Sequence, residues 1–177
     1  MALASDARGS RGPPVSSPPA VGIGIRRSLA WFLACAGTLI TAGGIVAAVN
    51  SAVPFERGSW LAAYLVLVGG VSQVILGAGG LALHACEPRE RLIARQLALW
   101  NLGSLAVPLG VLTDAAAVVS AGSAALLAAL ALFAAGARTT KGRETAPLVG
   151  YYAAILALGA SVVVGSALAD APPGGWI

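Results

Sequence analysis

The chain has 177 residues, of which 58% are hydrophobic and 10% charged, and its mean hydropathy is +0.85. Soluble domains carry about 25% charged residues, so this composition excludes an ordinary soluble domain and points to a membrane protein. The net charge of +4 does not imply nucleic acid, because that reading needs basic residues clustered on one folded face with aromatics to stack on, and here they fall between apolar runs.

Residues 1–27, with four prolines, several serines and glycines and no helical period, read as a disordered cytoplasmic tail. Within "RRSLAWFLAC" the paired arginines resemble a signal, but the chain stays apolar past Cys35 through Val49, so an uncleaved first helix is expected. Five apolar segments follow, at about 28–49, 60–84, 96–113, 115–136 and 147–169. Each approaches the roughly 20 residues that cross about 30 Å of hydrocarbon. They make one transmembrane domain over 28–170, with 171–177 as a short outer tail. Pro54 with Gly58, Pro88, and Thr145 with Pro147 punctuate the boundaries. Only Thr113 and Asp114 separate the third and fourth segments. One continuous helix there would be too long to cross once and would bury a charge, so a tight hairpin with Asp114 capping the fourth helix is expected.

Charge sets the expected orientation. Arg8, Arg11, Arg26 and Arg27 precede the first helix; Arg89, Arg91 and Arg95 follow the second; Arg138, Lys141 and Arg143 follow the fourth. With five helices these ten of the 11 basic residues share one side, and Arg57 alone lies opposite. The positive-inside rule then predicts an all-α integral membrane protein, a five-helix transmembrane bundle with its N-terminus cytoplasmic and its C-terminus outside, in the cell (inner) membrane. Trp31, Trp60, Trp100 and Trp176 fall near predicted helix ends, and Tyr151 and Tyr152 open the fifth helix, as rings at the headgroup level would. Ten arginines to one lysine, with abundant alanine and glycine, suit a GC-rich bacterial genome, which dilutes arguments built on small residues.

Catalysis finds little to use. No Asp, Glu, Lys or Arg lies deep in a predicted helix, against a proton relay and against an acid, base or nucleophile constellation. A lone histidine, His84, cannot ligate a haem in pairs. His84, Cys86 and Glu87 cluster after the second helix, yet a structural zinc site wants four ligands, so a metal there would need another chain. No disulfide is expected of Cys35 and Cys86, and no cofactor.

The suggestive residues are small or amide-bearing. Ala30, Ala34, Gly37, Thr41, Gly44 and Ala48 share a stripe on the first helix. Ala62, Gly69, Gln73, Gly77, Gly80 and His84 share one on the second, and Gly150, Ala154, Ala157, Ser161 and Gly165 one on the fifth. Such faces let helix backbones approach in lipid; alternatively they line a solute path. Gln73 and Asn101 are the deep polar residues, and Pro108 should free a backbone carbonyl in the third helix. Gln73 is expected inside the bundle, with Asn101 or that carbonyl as partner.

The run "GGVSQVILG", residues 69–77, resembles the spacing of glycines and glutamine in a helix of the succinate/acetate permease family. The resemblance implies a Gln73 close to a solute path. That family has six helices and an Asn-Pro-Ala motif before the first, which this chain lacks. Two functions follow as expectations. One is a non-enzymatic accessory or assembly subunit of a membrane complex, in contact with lipid and other membrane chains. The other is a permease or channel for a small neutral or weakly acidic solute, lined by Gln73, Asn101 and glycines.

Overall fold

A computed structural model describes residues 21–83, 90–137 and 145–169; His84, Cys86 and Glu87, most of the expected tail and the residues after Ala169 lie outside them. The described residues are all-helical, with five helices long and apolar enough to cross a membrane. The helices are α1 (Val21–Ala52), α2, α3 (Glu90–Leu112), α4 (Ala116–Ala137) and α5 (Thr145–Ala169). α2 is a composite rod of α-helix over Gly58–Tyr64, π-helix over Leu65–Val71 and α-helix over Ser72–Leu83.

Three boundaries differ from expectation. Residues 21–27, expected in the tail, are helix and belong to α1. Residues 90–95, expected to precede the third span, are helix in α3; arginine is a good helix former although it is not apolar. Asp114 adopts a left-handed conformation, φ 52°, and terminates α3 instead of capping α4. The Ala115 N–H reaches back to the Gly110 carbonyl at 2.8 Å, the six-to-one bond of a Schellman stop; aspartate tolerates that backbone better than most residues.

The molecule is built from two antiparallel hairpins and a fifth helix. In the α1–α2 pair, large residues of α1 enter glycine notches of α2. A Cβ added at Gly69 would lie 3.0 Å from Leu39 and one at Gly77 2.5 Å from Phe32, while Gly43 of α1 receives Val66. Asn50 holds the connecting turn, bonding Ser59 Oγ and the Phe55 N–H, each at 3.1 Å. The α3–α4 pair is closer still. A Cβ at Gly103 would meet the Gly122 carbonyl at 2.8 Å, one at Gly110 the Val119 nitrogen at 2.7 Å, and one at Gly122 the Val107 nitrogen at 2.9 Å. α5 packs on α4 and on the Ser72–Leu83 part of α2. Its Tyr151 hydroxyl donates to the Leu76 carbonyl at 3.1 Å, an approach that Gly79 and Gly80 leave open.

The core runs through Phe32, Leu76, Trp100, Leu126, Phe133 and Tyr151. Trp100 and Tyr151 therefore sit inside the bundle rather than at its rim. With α3 starting at Glu90, Trp100 lies about 15 Å along the helix, far from the headgroup level. Trp31 and Trp60 remain on the surface.

Candidate functional site

Arg57 is where the two hairpins meet at one end. Its Nη2 donates to Asp114 Oδ1 at 2.9 Å and its Nη1 donates to the Val111 carbonyl. The α1–α2 and α3–α4 turns thus share an end, and the only basic residue expected there is paired with an acid. Below this pair lies a cleft of about 520 Å³, walled by α2, α3, α4 and α5. Its shape follows from the packing of α5, which meets α2 chiefly along Ser72–Leu83 and so leaves a gap beside the Gly58–Tyr64 end.

Trp60 and Tyr64 stand at the upper wall with ring centroids 5.3 Å apart. Val68, Val107, Leu126 and Leu158 make much of the apolar lining, and Ser123 and Ser161 contribute hydroxyls. Ser161 Oγ donates to the Ala157 carbonyl at 2.8 Å, so its proton is committed. Trp100 closes the cleft from below; counted from Leu112 it lies about 18 Å deep, past the middle of a bilayer about 30 Å thick.

The opposite half is shut by aromatic packing. Phe133 contacts Phe32 at 6.1 Å and Trp100 at 6.4 Å between centroids. The space among Phe32, Leu76, Gln96, Phe133 and Tyr151 is only about 20 Å³, room for a single water. A further groove of about 530 Å³ between α4 and α5 is lined by aliphatic residues and glycine alone, which lipid tails would fill.

Polar satisfaction is unusual at mid-depth. Gln73 has 0% exposure, and neither its Oε1 nor its Nε2 has a partner; the same holds for the Trp100 indole nitrogen, the Ser104 hydroxyl and the Tyr64 hydroxyl. Buried polar groups are nearly always bonded; of these four residues Tyr64 and Trp100 line the cleft, whereas Gln73 and Ser104 do not.

The other singled-out residues are distributed as follows. Gln73 lies inside, but it bonds neither partner expected for it: no carbonyl accepts from its Nε2, and Asn101 is half-buried with its Nδ2 donating to the Leu97 carbonyl of its own helix at 2.8 Å. Gly69 and Gly77 lie in the α1–α2 interface. Gly37 and Gly44 do not: both face outward, and a Cβ at either would meet nothing within 4 Å. The whole α1 stripe from Ala30 to Ala48 is exposed, because α1 packs through Phe32, Ala36, Leu39 and Gly43 instead. On α5, Gly150 is likewise open. Among the described residues no group of three or more His, Cys, Asp or Glu could hold a metal.

Sequence reasoning missed Gly103, Gly110 and Gly122, the buried Gln96 whose Nε2 donates to the Leu132 carbonyl at 3.0 Å, and the π segment. The seven-residue step from Gly103 to Gly110 was a usable signal for the α3–α4 contact. No family model, curated protein or solved structure matches the chain, and the permease resemblance rests on residues 69–77 alone.

Proposed function

We propose that the chain is a non-enzymatic, multi-pass protein of the cell (inner) membrane that receives a small neutral solute in the cleft at its Arg57 end. The N-terminus is cytoplasmic and the C-terminus outside, so the cleft faces outward and the aromatic seal faces in. One observation carries this reading. A cleft of about 520 Å³ walled by four helices narrows onto the fully buried Trp100, and the half beyond it is packed by Phe32, Phe133 and Tyr151. Such an arrangement suits a permease or channel closed on its inner side.

N-ethylmaleimide tests it, since the reagent consumes the thiolate, which forms where water reaches the sulfur. In a Cys35→Ser, Cys86→Ser background, Ser123→Cys should label readily and Leu76→Cys should stay inert. Equal inertness of the two positions would refute an open cleft.

A second reading, an accessory or assembly subunit, is favoured by the outward stripe of α1. Gly37 and Gly44 there leave room for another helix to approach. Mild-detergent purification separates the two: a stable complex with other membrane chains supports the subunit, and a lone chain or homo-oligomer with a labelled cleft supports the permease.

A further inference from the structure

We infer that Arg57 is a releasable latch across the mouth of the cleft. Freed from Asp114 and Val111, it lets the two hairpins part at that end while the aromatic layer at the other end holds. This rests on the solute-cleft reading above and adds the regulation of that site.

The latch spans the cleft. Arg57 and Val111 both line it, one from the turn that leads into α2 and the other from the last turn of α3. The Val111 carbonyl is among those that a helix leaves without an N–H partner at its C-terminus. A cation there also meets the negative end of the helix dipole. Arg57 Nη1 donates to that carbonyl while Nη2 donates to Asp114 Oδ1 at 2.9 Å. Both sides are held in place. Asn50 fixes the turn before Arg57 through Ser59 Oγ and the Phe55 N–H, and Asp114 stands on left-handed backbone closed by the Ala115–Gly110 bond.

What the latch joins is stiff. Within the first hairpin a Cβ at Gly43 would lie 2.9 Å from the Ala62 carbonyl oxygen. Within the second, one at Gly103 would lie 2.8 Å from the Gly122 carbonyl oxygen. Between the hairpins the packing is uneven. Gly58–Tyr64 packs on α1, and contacts across the hairpins fall chiefly on α1, the π segment and Ser72–Leu83. The Phe32–Phe133 ring contact ties them in the sealed half, and Tyr151 ties α5 to Leu76 there. At the other end the cleft itself separates them, and among the described residues the side-chain bonds that cross are those of Arg57. Two stiff bodies joined by packing at one end are built to move as a hinge.

The strength of the tie suits a device that opens. Both partners are open to solvent, where an ion pair shifts an equilibrium by up to about fivefold and weakens as salt screens it. A desolvated pair would be far costlier to break.

The experiment follows labelling of the Ser123→Cys, Cys35→Ser, Cys86→Ser protein in liposomes by two neutral reagents, N-ethylmaleimide and the bulkier N-(1-pyrenyl)maleimide. Each variant is compared with this parent under one reagent, which cancels partition into lipid. The small reagent should label the latched cleft, and the bulky one in proportion to the open population. Asp114→Asn removes the charge and tolerates the same backbone; it should raise pyrenylmaleimide labelling about two- to fivefold. Arg57→Gln, which loses the charge and the fork, should raise it further, and Arg57→Lys should lie between the parent and Arg57→Gln. In about 1 M salt, where the screening length falls to about 3 Å, the parent should gain about two- to fivefold and Asp114→Asn nothing. N-ethylmaleimide rates should change little, and Leu76→Cys in the same background should stay inert throughout. A pyrenylmaleimide rate that neither salt nor substitution alters would overturn the latch and leave the cleft standing. Labelling of Leu76→Cys that rises with that of Ser123→Cys would overturn it too, since the whole bundle would then be loosening. A parent inert to N-ethylmaleimide would remove the cleft itself. The salt comparison in the parent needs no latch variant to fold.

Discussion

Gln73 and Gln96 are two buried amides in opposite situations. Gln96 spends its Nε2 on the Leu132 carbonyl across the α3–α4 interface, whereas Gln73 spends nothing. A buried polar group left unbonded costs about 1–3 kcal/mol, and a side-chain bond between membrane helices contributes about 0.6 kcal/mol on average. Gln73→Leu should therefore melt at or above the wild-type temperature in detergent, and Gln96→Leu slightly below it. A clear drop for Gln73→Leu would reveal a bonded water or another partner. The pairing with Asn101 expected from sequence fails on direction rather than on depth. From Leu83 and Glu90, Gln73 and Asn101 lie about 15 Å and about 16 Å along their helices. What separates them is direction around α3: Trp100 takes the inward position and Asn101 turns to its own Leu97 carbonyl. Rise per residue is a constant that sequence supplies; the azimuth of an apolar helix is not.

At the scale of elements the same limit governs α1. A helix apolar on every side carries no polar face to mark the outside, so its small residues were the remaining guide, and they lie on the exposed surface. The pair instead interlocks large α1 side chains with α2 glycines. Gly77→Leu should therefore lower the melting temperature strongly, since even a Cβ would lie 2.5 Å from the Phe32 ring, and overpacking typically costs about 1–3 kcal/mol. Gly44→Leu should melt like the wild type, its Cβ meeting nothing. If both variants melt alike, the packing of α1 described above is wrong. Gly103→Ala makes a sharper test in the other hairpin. Besides the Leu126 side chain at 2.7 Å, the Gly122 carbonyl oxygen lies 2.8 Å off, and a helix backbone cannot rotate aside as a side chain can. A single added methyl there should destabilise by about 1–3 kcal/mol, read as a lower melting temperature. The π segment is a different case. Gly69 and Gly70 ease it, but the bond that creates it, from the Ser72 N–H to the Leu67 carbonyl, left no periodic trace in the sequence.

For the whole molecule, hydropathy and punctuation were enough to read five spans, because hydrocarbon thickness imposes a length that any apolar run must meet. Orientation rests on charge, and the geometry bears on that argument. Arg57, the one cation that the charge pattern expects on the side opposite the other ten, is bound to Asp114. The pair is open to solvent, with exposures of 39% and 79%, so it adds less than about 1 kcal/mol of stability. What it does is bring both turns to one end. It also ties the guanidinium to a carboxylate, a contact between turns that an odd number of spans between them would forbid. Two reporter fusions test the resulting topology. One placed after Arg143, between α4 and α5, should be active in the cytoplasm, and one at Ile177 should be active outside. Since only α5 lies between the two points, opposite outcomes require that it cross. The same side for both would leave α5 uninserted, and with it the wall of the cleft formed by Leu158, Ser161 and Val162.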